Sequence, residues 1–88
     1  MVFDVALAKA FGKVLRSRRR DAGLTQEQLA LLVNIDRNYV SLLERGVHLP
    51  TVTMLFKLAS GLNLSPSLLI SDVEGIIGPV EILTDNSD

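Results

Sequence analysis

The chain is 88 residues long and 48% apolar, enough for one domain with a real core and too short for two. It contains no cysteine, which excludes disulfides, thiolate metal sites and cysteine nucleophiles together. The formal net charge of −1 is unevenly spread: nine bases and five acids give residues 1–57 a net +4, while residues 58–88 hold five acids and no base.

That asymmetry fits a phosphate-facing front with a separate partner face, and it also fits an ordinary solvated helix followed by a polar tail. Charge alone favours the plainer second reading. No apolar run approaches the ~20 residues needed to span a bilayer. The opening MVFDVALAKAF has no basic start followed by an apolar core, so no secretory signal is expected.

In chain order, residues 4–21 predict a first helix. Leu7, Phe11, Val14 and Leu15 recur at helical spacing, and Lys9, Lys13, Arg16 and Arg20 take other faces. Gly23 follows as a C-terminal cap. Thr25 opens a second helix, and Gln28 completes a Thr-x-x-Gln capping box. Leu29, Ala30 and Val33 form its apolar face; Asn34, a residue tolerant of the left-handed conformation, ends it. Asp36 caps a third helix, Val40 and Leu43 face inward, and Gly46 closes it.

A fourth helix follows Pro50 with Thr51 as its cap; Leu55, Leu58, Ala59 and Leu62 point one way, Thr53, Lys57 and Ser60 the other. Ser65-Pro66, an N-cap followed by proline at the first helical position, opens a fifth helix expected to end near Asp72 or Glu74. Beyond it, Ile76, Ile77, Val80, Ile82 and Leu83 are β-prone, Gly78-Pro79 breaks any helix, and residues 84–88 read as disordered. A short strand, an apolar arm and a loose end remain open for this tail. The expectation is an all-α fold: five helices over residues 1–75 and a short non-helical tail over 76–88.

Residues 25–45 carry the functional signal. Two short helices joined by a turn of about three residues cross steeply, which demands a small residue at the contact and a positive-φ residue in the turn. Ala30 and Asn34 supply these. Leu29, Val33, Ile35, Val40 and Leu43 are placed to face inward on either side of the turn. The second helix then presents Arg37, Asn38 and Ser41 outward near its N-terminus, where polar side chains reach base edges in a DNA major groove.

The stretch Leu24-Thr25-Gln26-Glu27-Gln28-Leu29-Ala30, then Tyr39-Val40-Ser41-Leu42-Leu43-Glu44-Arg45-Gly46 and Pro50, resembles the phage-repressor/Cro-like (Xre-type) helix-turn-helix family. Asp36-Arg37-Asn38-Tyr39 with Glu44-Arg45-Gly46 looks especially like the small controller proteins of restriction–modification systems. The resemblance covers residues 7–74 and implies a five-helix repressor-like domain that binds palindromic operators as a homodimer. It implies that Gln26 contacts a phosphate, that Arg37, Asn38, Ser41 and Leu42 lie on the base-reading side, and that Arg19 pairs with Glu44.

Side-chain chemistry agrees: Arg matches the O6 and N7 of guanine, Asn the N6 and N7 of adenine, and Leu42 a thymine methyl. The plain alternative is that Arg37 and Asn38 touch only phosphate or solvent. Tyr39 either donates to a phosphate or covers the core edge, and Arg45 either grips a phosphate or is solvated. Arg16, Arg18 and Arg20 read as solvated by default, and His48 as an incidental loop residue. Leu31, Leu32 and Leu42 depart from the family in facing outward as apolar residues; Leu31 and Leu32 are expected to meet the tail or a partner.

The leading expectation is a cytoplasmic, autonomous transcription regulator whose partners are double-stranded DNA and a second copy, paired through residues 68–83. The competing one is an antitoxin or interaction module whose tail masks a partner protein; co-purification with a second small protein discriminates the two. No metal spacing, phosphate loop or nucleophile–base pair is present, so no enzyme, metal or cofactor is expected. A starting Met and a soft end favour a complete protein over the N-terminal part of a longer regulator.

Overall fold

A computed structural model describes residues 2–78, with side chains from Asp4 onward. Five helices follow one another: α1 (Val2–Asp21), α2 (Gln26–Val33), α3 (Arg37–Glu44), α4 (Val52–Gly61) and α5 (Pro66–Ile77). Among the described residues there is no strand, so the all-α expectation holds.

The starts are set by local hydrogen bonds. Thr25 Oγ1 accepts from the Gln28 amide at 3.0 Å, and Gln28 Oε1 accepts from the Thr25 amide at 2.8 Å, closing the capping box. Asp36, Thr51 and Ser65 cap α3, α4 and α5 with their side-chain oxygens. Two ends use one device. Asn34 (φ 58°) and Asn63 (φ 60°) turn left-handed. The amides just beyond them, of Ile35 and Leu64, reach back to Ala30 O at 2.9 Å and Ala59 O at 2.8 Å.

One core joins all five helices: Phe11, Val14 and Leu15 from α1, Leu29, Ala30 and Val33 from α2, Val40 and Leu43 from α3, Leu58, Ala59 and Leu62 from α4, Leu69 and Val73 from α5. Gly12 lets α1 lie on the C-terminal end of α3, since a Cβ there would sit 2.5 Å from the Glu44 carbonyl oxygen. Gly61 does the same for α4 against Val33 of α2.

Two expectations are corrected. Helix α5 does not stop at Asp72 or Glu74 but runs to Ile77, through the expected boundary at residue 75. Ile77 packs on the core, and Gly78 (φ 99°) caps the helix by donating to Glu74 O at 2.8 Å; the anchoring of Ile77 carries the helix through the β-prone Ile76, which is itself exposed. Arg18 is not merely solvated: α5 crosses α1 there, and Asp72 Oδ2 lies 2.7 Å from Arg18 Nε. The expectations for Pro79, Val80, Ile82, Leu83 and residues 84–88 lie outside the described residues.

Candidate nucleic-acid interface

The site is built on α3. Val40 and Leu43, one turn apart, are wholly buried and pin one side of the helix. The Asn34 turn then brings Asp36 into position to start it, with Oδ1 accepting the Asn38 amide at 2.8 Å. Arg37 and Asn38 lie on the first turn of α3 and are exposed. Their neighbours differ. Ser41 and Leu42 are half-buried, and Tyr39 is half-buried with its ring against the core. Arg45 caps the far end, exposed, its Nε 3.3 Å from Ser41 Oγ.

Behind this face lies a polar cluster. Arg19 Nε donates to Glu44 Oε2 at 2.7 Å and Nη2 to Oε1 at 3.0 Å, a two-pronged pair that ties α1 to α3. Arg19 Nη1 donates to Leu24 O at 2.8 Å, holding the loop ahead of α2. Gln26 Nε2 donates to the same Glu44 Oε1 at 3.0 Å, so the first residue of α2 is oriented by the last residue of α3. Because a carboxylate only accepts, the amide nitrogen of Gln26 must face Glu44. The hydrogen bond from Arg19 to Glu44 holds the guanidinium pKa above its ordinary value, against the opposing effect of burial.

The structure thus brings Arg19, Gln26 and Glu44 together and sets Arg37 and Asn38 side by side, with Ser41 and Leu42 further along the same helix. Leu31 and Leu32 are well exposed, at 76% and 60%, as their outward placement requires. His48 is exposed in the loop after α3. Sequence reasoning missed the Gln26–Glu44 hydrogen bond, the Arg18–Asp72 pair and the role of Gly12. For the last a signal existed: a glycine inside an amphipathic helix marks close backbone approach.

A helix-turn-helix family model matches residues 15–69, from the second half of α1 into α5. The chain belongs to the helix-turn-helix family. Among its relatives in that family, control protein C.MunI of a Mycoplasma species is 35% identical over 65 residues, covering 73% of this chain and 88% of the relative. The restriction-modification controller protein C.AhdI from Aeromonas hydrophila superposes with a TM-score of 0.69 at 40% identity, over 70% of this chain and 94% of that one. The clp gene regulator ClgR from C. glutamicum superposes at 0.77 with 30% identity, over 82% and 92%. These likenesses agree with the Xre-type resemblance carried by residues 24–30 and 39–50. Among the described residues no helix is long and apolar enough to cross a membrane.

Proposed function

We propose that this helix-turn-helix protein is a cytoplasmic, non-enzymatic transcription regulator that binds a palindromic operator as a homodimer, with α3 in the major groove. Arg37 reads a guanine and Asn38 an adenine in each half-site, with Ser41 and the methyls of Leu42 further along the groove. Gln26, through the side-chain N–H not given to Glu44, holds the flanking phosphates together with Tyr39 and Arg45. The observation that carries this reading is the division of α3: Val40 and Leu43 sealed in the core, Arg37 and Asn38 open on the first turn. A helix so anchored presents its polar end without having to be ordered on binding.

Dimerisation is supported by apolar surface beyond what the core absorbs. Leu49, Val52 and Ile70 are exposed around a groove of about 230 Å³ whose floor includes Leu7, Phe11 and Leu55, and Leu68 of the same helix is exposed as well.

The test is a gel-shift titration on the DNA upstream of the protein's own gene, with excess random competitor at about 150 mM salt, where non-specific binding is weak. A competitor-resistant shift with two chains per operator is expected. Arg37→Ala and Asn38→Ala that left affinity and sequence preference intact would overturn the base-reading assignment. A second reading, a protein-masking module such as an antitoxin, is favoured by the exposed Leu31 and Leu32 of α2, which border one hollow with Leu24 of the preceding loop. Recovery of a stoichiometric small partner protein, with no operator shift, would put it first.

A further inference from the structure

We propose that α1 carries a second DNA-facing surface, in which Lys9, Lys13, Arg16 and Arg20 hold the sugar-phosphate backbone alongside the site read by α3. The four follow the spacing i, i+4, i+7, i+11, which at 3.6 residues per turn places them in one stripe about 16 Å long. All four are exposed.

Helix α1 holds six Lys and Arg residues, and they divide sharply. Arg18 and Arg19 are each held 2.7 Å from a carboxylate of another helix, Asp72 on α5 and Glu44 on α3. Among the described residues, none of the four stripe cations forms an ion pair. Asp21 borders the hollow between Lys13, Arg16, Ser17 and Arg20 without reaching ion-pair distance. Like charges one turn apart oppose helix formation, so the stripe stands at a cost to the free protein. A polyanion laid along it would remove that cost.

Position decides which polyanion. Lys9 lies against Gly46, the residue that follows α3: a Cβ on Gly46 would sit 2.9 Å from Lys9 Cα. The stripe therefore begins beside the C-terminal end of α3, next to the exposed Arg45, and runs from there along α1. Double-stranded DNA offers roughly one negative charge per 1.7 Å of axis, so a backbone beside the stripe meets every cation on it. Long flexible side chains with no planar platform beside them suit phosphates rather than bases. This inference depends on the DNA-binding reading above, and its test separates the two.

The experiment compares the wild type with Lys13→Gln/Arg16→Gln/Arg20→Gln, leaving Lys9 in place because it packs on Gly46. Binding to an operator duplex, recovered by selection from random sequence, and to a random duplex is titrated across salt. Gln keeps helix propensity, so the variant should melt no lower than the wild type. The plot of log affinity against log salt should become shallower by about 0.9 per lost contact, roughly 2 to 3 in all, on both duplexes. The preference for operator over random DNA should not change. Lys13→Arg/Arg16→Lys/Arg20→Lys, which keeps the charge, should retain the wild-type slope. An unchanged slope in the Gln variant, or an equal loss in the charge-keeping one, overturns the proposal. A wild type with no preference for any selected duplex would sink the base-reading role of α3, while the slopes on random DNA still judge the stripe.

Discussion

Glu44 and Arg19 meet through two hydrogen bonds, 2.7 and 3.0 Å long, with side chains only 3% and 9% exposed. The pair joins α3 to α1, and Glu44 also accepts from Gln26. Glu44→Ala would leave a buried guanidinium uncompensated at every working pH, because arginine does not deprotonate there. The expected loss is about 3–5 kcal/mol, read as a lower urea midpoint. Replacing both residues by methionine should restore most of that stability, since a well-packed apolar pair avoids the desolvation of both charges.

The motif turn makes a second, local prediction. Asn34 sits at φ 58°, a conformation in which a Cβ is costly but glycine is free. Asn34→Ala should lower stability by about 1–2 kcal/mol, whereas Asn34→Gly should change it little. Thermal melts of the two variants side by side check the difference.

Two glycines should respond in opposite directions. A Cβ on Gly12 meets backbone carbonyl oxygens of Glu44 and Leu43 at 2.5 and 2.6 Å, so Gly12→Ala must push α3 away from α1. We expect a loss of about 1–3 kcal/mol, together with weaker DNA binding because α3 moves. A Cβ on Gly75 meets nothing, and Gly75→Ala should gain about 0.5–1 kcal/mol by helix propensity alone. If Gly12→Ala were as stable as the wild type by urea denaturation, the close packing of α1 on α3 would be wrong.

On the proposed base-reading face, Arg37→Ala and Asn38→Ala should each cost about 1–3 kcal/mol of discrimination at one base position, with little change in melting because both side chains are exposed. Competition among duplexes mutated at single positions reads this directly. A uniform weakening on every duplex would instead assign them to phosphate contact.

The sequence by itself determined the elements and the motif. Thr25 with Gln28, Asp36, Thr51, Ser65-Pro66 and Asn34 act through hydrogen bonds and φ preferences within a few residues, so their effect is legible wherever the chain goes. The apolar spacing of Leu29, Val33, Val40 and Leu43 is local in the same sense, and it places Arg37 and Asn38 outward. What only the tertiary structure decided depends on which helices cross. The Arg19–Glu44 pair is already implied by the family resemblance, but that Arg18 meets Asp72, 54 residues away, while Arg16 and Arg20 stay exposed, came from the packing alone. The spacing of Arg16, Arg18 and Arg20 does not say which of them meets a carboxylate, because helix rotation sets only the angle of each and the packed partners say what waits there. The end of α5 was decided the same way: Ile76 and Ile77 prefer strands in isolation, and a core surface for Ile77 kept them helical.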